Sequence, residues 1–260
     1  MDNPFFSIII ALYKETPNQI KTSINSIINQ TYKNFEIILI IDNPDFIHKD
    51  LLLNLLKKND RVKIIYNNKN LGLTKSLNIG IRNSIGKYIV RQDGDDFSLE
   101  DRLKKAYQIL IKNKIQIYSS PAIVNGVIKP NILIRKFFTP DILRYKNMLF
   151  HGALIIKRDI IKEFKYDEKY LYSQDFELYN RLLDSSKSFF YDKNNISYNL
   201  ILNDKSISSL RKNEQRRFFL KVLKRNGCLW TQNPILRILR IDLILDLFLI
   251  TKNKLSKFIP

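Results

Sequence analysis

Four short apolar runs, each leading into a stretch with helical spacing, most narrow what this chain can fold into. Phe6–Leu12 (Phe-Ser-Ile-Ile-Ile-Ala-Leu), Phe35–Ile41, Val62–Tyr66 and Tyr88–Arg91 all have strand length. Continuous rather than alternating hydrophobicity marks a strand covered on both faces, as in parallel sheets. Ile20, Ile24, Ile27 and Ile28 follow Thr16-Pro17, an N-cap with proline in the first turn. Leu51–Leu56 belongs to a second helix, and Gly72–Ile85 to a third with Leu73, Leu77 and Ile81 on one face. This alternation predicts an α/β fold: a Rossmann-like, mainly parallel sheet flanked by helices. Further on, the pattern predicts a helix over Ser98–Lys112 capped by Ser98, a strand over Ile115–Val124, a strand-like His151–Ile156 and a helix over Asp175–Leu183. Asn125–Leu149 carries no readable pattern.

The fourth run ends in Asp93-Gly94-Asp95-Asp96, three carboxylates within four residues. Open α/β sheets bind ligands at the carboxyl ends of their strands. Carboxylates this close stay ionised together most readily around a cation, and an all-oxygen set suits Mg²⁺ or Mn²⁺, which take further ligands from water and substrate phosphates. The plainer reading is a solvated acidic turn. Asp42 ends the second run, where a carboxylate accepts hydrogen bonds from a base or ribose, or merely serves a turn. Neither a Gly-x-Gly-x-x-Gly fingerprint nor a P-loop is present. Asn70-Leu71-Gly72-Leu73 reads as a turn feeding a helix, and Arg82 and Arg91 as surface charges. Asp175 sits in a first helical turn, where the dipole alone would favour it; the functional reading is a general base. His151 reads equally as a core histidine or as a lining of the acceptor side.

Composition limits the function class. The 260 residues are 45% hydrophobic, enough for a sizeable core, and their net charge of +19 implies an acidic partner: nucleic acid, anionic lipid or a phosphorylated substrate. Acidic strand ends would repel a nucleic acid, and no RNP-type or helix-turn-helix motif supports one. An aspartyl phosphohydrolase places its acidic pair after the first strand, whereas here it follows the fourth. One cysteine excludes an internal disulfide and suits a reducing cytoplasm, and two histidines exclude a His-rich zinc centre. The amino-terminal run reads as a first strand rather than a signal peptide, and no apolar stretch is long enough to predict a transmembrane helix.

Taken in order, these segments resemble glycosyltransferase family 2, the inverting transferases with the GT-A fold. The resemblance covers roughly residues 5–200 and rests on Phe6–Tyr13, on Ser26–Asp42, and above all on Asn70–Asp96. It implies a nucleotide-diphospho-sugar donor, UDP-linked by preference, and Mn²⁺ or Mg²⁺ as cofactor. Asp42 and Asp93 would contact the nucleotide, Asp93 and Asp95 would hold the metal, and Asp96 matches the acidic residue that commonly follows. Asp175 matches the catalytic base; His151 and Asp96 are the candidates for the acceptor side. The acceptor would be a glycan or lipid-linked hydroxyl in bacterial cell-surface polysaccharide or lipooligosaccharide synthesis. Two positions depart from the family pattern. Asp42-Asn43-Pro44-Asp45 stands where Asp-Asp-Gly-Ser is usual, and Gln174 replaces the Glu that precedes the base. The second leaves a degenerate, scaffold-like transferase as the rival reading.

The reading divides the chain into a transferase domain, 1–204, and a basic helical extension, 205–260, which holds 13 Lys or Arg against 3 Asp or Glu. Within Asn213–Arg225, Phe218, Phe219, Leu220, Val222 and Leu223 share one side of a helix and Arg217, Lys221, Lys224 and Arg225 the other. Such a helix lies on an anionic membrane surface or packs on the domain. The first alternative predicts a peripheral enzyme on the inner face of the cytoplasmic membrane. Ile235–Ile250 is apolar but interrupted by Arg237, Arg240, Asp242 and Asp246, and reads as an interfacial or dimer segment.

Overall fold

A computed structural model describes residues 3–226 except 58, 60, 137, 139, 145, 186 and 203–209. In chain order the elements are β1 (Phe6–Leu12), α1 (Pro17–Ile28), β2 (Phe35–Ile41), α2 (Lys49–Leu56), β3 (Val62–Tyr66), α3 (Leu73–Asn83), β4 (Tyr88–Asp93), β5 (Phe97–Ser98) and α4 (Arg102–Asn113). Then come β6 (Ile117–Ser119), β7 (Ala122–Val124), β8 (Val127–Lys129), α5 (Ile132–Lys136), β9 (Ile155–Lys157) and α6 (Arg158–Phe164). The last are α7 (Gln174–Asp184), β10 (Phe189–Tyr191), β11 (Tyr198–Leu200) and α8 (Lys212–Arg225).

The main sheet has seven strands in the order β10-β6-β9-β4-β1-β2-β3. All its pairings are parallel except those of β9, which runs antiparallel to both β4 and β6. β1 shows why its sequence is apolar throughout. Phe6, Ile8 and Ile10 pack with Ile20, Ile24 and Ile27 of α1 on one face, while Ile9 meets Leu77 and Ile81 of α3 on the other. Thr16 begins α1 with a reciprocal cap: its hydroxyl accepts from the Gln19 N–H and the Gln19 side chain accepts from the Thr16 N–H. A second, four-stranded sheet, β5-β11-β7-β8, lies beside the carboxyl end of β4.

The structure departs from the sequence expectations at several joints. β4 runs on to Asp93. Ser98 does not cap a helix: it belongs to β5, its hydroxyl donates to Gln92 Oε1, and α4 starts only at Arg102. The expected strand Ile115–Val124 is two strands in different sheets, interrupted at Ser120-Pro121, because proline cannot donate to a ladder. His151 heads a short 3-10 turn, His151–Ala153, ahead of β9. The apolar side of α8 is turned to the domain: Val222 and Leu223 are buried with Tyr170 and Phe176, and Phe219 stacks on Phe176 at 4.5 Å. Ile235–Ile250 lies outside the described residues.

Candidate active site

Period-two geometry puts the side chains of Arg91 and Asp93, two apart on β4, on one face of the sheet. The Arg91 guanidinium grips Asp93 with two bonds, Nε to Oδ1 at 2.8 Å and Nη2 to Oδ2 at 3.0 Å. Its remaining nitrogen, Nη1, donates to Oδ1 of Asp175 in the first turn of α7 at 2.7 Å. Arg91 is therefore no surface charge; it is 6% exposed and lies between the two carboxylates. His151 closes the ring from the other side, with Nε2 2.8 Å from Asp93 Oδ2 and Nδ1 3.8 Å from Asp175 Oδ2.

The electrostatics follow from that ring. Burial favours a neutral Asp93, but Arg91 and then His151 outweigh it and hold the carboxyl far below the usual carboxylate range. Burial likewise opposes a charged His151, yet Asp93 outweighs it and raises the imidazole above its ordinary value. Arg91 is driven well above the ordinary guanidinium value because Asp175 and Asp93 overcome its burial. Asp96 has the opposite fate. Burial, and next the charge of Asp93, push it up to about 7, although Ile201 N–H donates to Oδ1 at 2.8 Å and the Tyr198 hydroxyl to Oδ2 at 3.0 Å. Asp95 is also raised, by burial and then by Asp93.

Three further residues, none singled out from the sequence, build the site. Glu15, just past β1, lies over Gly94, where an added Cβ would stand 3.0 Å from Glu15 Cγ. Burial raises its carboxyl. The only signal in the sequence was its position past a strand that runs beside β4, Ala11 against Asp93. Arg102 is fully buried beneath the acidic turn. It donates to Ser98 Oγ (2.7 Å), to the Arg91 carbonyl (3.1 Å) and to the Gly152 carbonyl, and its guanidinium lies over the Tyr198 ring. With no carboxylate bonded to it among the described residues, it is lowered by burial to about 10. Tyr198 accepts from the Asp93 N–H at 3.1 Å while donating to Asp96, so β11 fastens both ends of the turn. Gly152 makes room for that ring, since a Cβ there would strike it.

Asp42 stands apart from this ring. Oδ1 accepts from Asn67 Nδ2 (2.7 Å) and Leu71 N (2.8 Å), and Oδ2 from Gly72 N (2.8 Å). Its carboxylate thus pins the turn into α3, where Gly72 has a φ of 85° that suits glycine. Asp93, Asp96 and His151 offer ligand atoms within 4.8 Å of one another, whereas Asp95 is outside that set. His151 Nε2 is buried and makes no well-aligned hydrogen bond despite its proximity to Asp93. Two carboxylates with an under-used imidazole fit a divalent cation of the Mn²⁺ type.

A family model for glycosyl transferase family 2 matches residues 7–186. The chain belongs to glycosyltransferase family 2. An uncharacterised glycosyltransferase of Methanocaldococcus jannaschii is 32% identical over 73% of this chain and 68% of its own length. The Escherichia coli UDP-Glc:alpha-D-GlcNAc-diphosphoundecaprenol beta-1,3-glucosyltransferase WfgD is 25% identical over 84% of this chain and 85% of its own. The crystal structure of S. aureus TarS 1-349 in complex with UDP-GlcNAc matches with a TM-score of 0.67 at 16% identity, covering 84% of this chain and 66% of that one. This family 2 enzyme therefore has the GT-A fold and is a glycosyltransferase acting on nucleotide sugars.

Proposed function

We propose that the enzyme transfers a sugar from a UDP-linked donor to a hydroxyl of a lipid-linked glycan in bacterial surface polysaccharide synthesis, with inversion at the anomeric carbon. The observation that carries this reading is the meeting of Asp93 and Asp175 on one guanidinium at the carboxyl edge of β4. On this reading the donor-side carboxylate and the base are held by one fixed group. WfgD's printed activity, on a diphosphoundecaprenol-linked acceptor, favours the lipid-linked class, and the UDP and UDP-GlcNAc complexes of TarS favour the donor.

In this mechanism Asp175 Oδ1 is committed to Arg91, which leaves Oδ2 to take the proton of the acceptor hydroxyl. The acceptor oxygen attacks the anomeric carbon opposite the diphosphate; the bond to the diphosphate breaks and UDP leaves with its electron pair. Asp93, with Asp96 and His151 or with Asp95, would hold Mn²⁺ or Mg²⁺, which when bound supplies charge stabilisation for the leaving diphosphate. Asp42 serves the nucleotide through the turn it fixes. We assign 1–204 to the transferase domain and 205–260 to a basic extension that brings the enzyme to the anionic, cytoplasmic face of the membrane.

The test is calorimetry with UDP, GDP and CMP, with Mn²⁺ or with chelator, on wild type, Asp93→Ala and Asp95→Ala. Metal-dependent binding of UDP that Asp93→Ala abolishes is the expected result. A folded protein that binds none of the three sinks the reading.

A further inference from the structure

We infer that Arg91 is the residue that positions the catalytic base Asp175, a task to which its neighbour Gln174, a neutral amide, brings no charge. The inference rests on the assignment of Asp175 as base made above. Among the described contacts of Asp175, the only hydrogen bond within 3 Å comes from Arg91 Nη1. Gln174 is buried beside it, but as a neutral amide it brings no charge to the carboxylate. Helix geometry alone leaves a first-turn aspartate free to rotate about χ1 and χ2. The fork of Arg91 removes that freedom, because the same planar group is locked by two bonds to Asp93. Arg91 is itself fixed from behind: Arg102 takes its carbonyl, and β4 holds its backbone between β1 and β9. The guanidinium thus sets which oxygen of Asp175 is occupied and which is offered. It also fixes the distance between the base and the carboxylate of the donor side. A lysine replaces it only in part, since one ammonium lacks the three planar donors that span both carboxylates.

The experiment is a double-mutant cycle of Arg91→Ala and Asp175→Asn, read as UDP release from UDP-glucose and UDP-GlcNAc with water as acceptor. Water attacks the anomeric carbon, its proton passes to Asp175 and UDP departs. Arg91→Ala is expected to cut kcat roughly tenfold to a hundredfold on its own, and to cost almost nothing further once Asp175 is Asn, because residues that act as a unit are not additive. Guanidinium ion at millimolar concentration is expected to restore part of the activity of Arg91→Ala and none of Asp175→Asn. Arg91→Lys is expected to fall between wild type and Arg91→Ala, and it carries the same cycle if Arg91→Ala does not fold. Additive losses, or no response to guanidinium in a folded Arg91→Ala, overturn the inference. A wild type that binds UDP and turns over donor while the cycle is additive removes this inference alone. A wild type that neither binds nor turns over donor removes the transferase reading, and this one with it.

Discussion

At Asp175 the two carboxylate oxygens have different neighbours, Arg91 at Oδ1 and His151 at Oδ2, and the proposed role as base rests on that asymmetry. Asp175→Asn keeps the shape but not the proton acceptor, so donor turnover should fall by about 10²–10⁴-fold, the range for a lost general base, while calorimetric UDP binding persists. Asp96 makes a prediction about stability. Its folded value, about 7, lies above the ordinary carboxyl value, so the native state binds the proton that the unfolded chain has released between those limits. Stability from this group is greatest in acid and declines as pH rises toward 7, and the raised His151 adds a further decline as pH passes through its own folded value. The groups facing Asp96 are Asp93, Asp95, His151 and the Tyr198 hydroxyl. Melting temperatures in chelator should therefore drop between pH 5 and pH 8, and Asp96→Asn should flatten the curve. An unchanged slope in Asp96→Asn would refute this account.

At the scale of elements, Tyr198 fastens the acidic turn and α8 packs against Phe176 of α7, the helix that carries Asp175. Gly152→Ala drives a methyl into the Tyr198 ring and should loosen both ends of the acidic turn, weakening nucleotide binding more than it lowers the melting temperature. Leu223→Ala should cost about 2–4 kcal/mol of unfolding free energy, the usual toll of emptying a buried leucine site, measured by denaturant titration. Arg225→Ala leaves the buried Glu177 carboxylate with Arg181 as its remaining described ion pair and should destabilise α7 in the same assay. β1 to β4 were legible in the sequence because a strand covered on both faces is apolar at every position, and Thr16-Pro17 announced α1 in the same way. Arg91 was not legible, for one cation in so basic a chain carries no mark of the two carboxylates that fold around it. Nor was the partner of α8: an apolar helix face satisfies a bilayer and a protein interior equally. The proline at 121 was visible, but the two sheets it separates were not, since strand pairing is non-local.

For the whole molecule, the packing of α8 changes what membrane contact can consist of. Its apolar side is spent on Tyr170 and Phe176, while Arg216, Arg217, Lys221 and Lys224 remain exposed. No helix among the described residues is long and apolar enough to cross a membrane. The membrane contact proposed for α8 would then be electrostatic. Binding to vesicles rich in anionic lipid should vanish at about 0.5 M salt, where screening is nearly complete, and should be absent on zwitterionic vesicles. Salt-resistant binding would show that another segment inserts. The way the second sheet is assembled also bears on synthesis at the ribosome. β5, β7 and β11 come from residues 97–98, 122–124 and 198–200, and the acidic turn receives its tyrosine from a strand 102 positions later. A nascent chain can pair β1 with β2 and β4 early, yet the Asp93 N–H and the Asp96 carboxyl have no tyrosine partner until residue 198 has emerged, so the growing polypeptide passes most of its translation with the acidic turn unfastened.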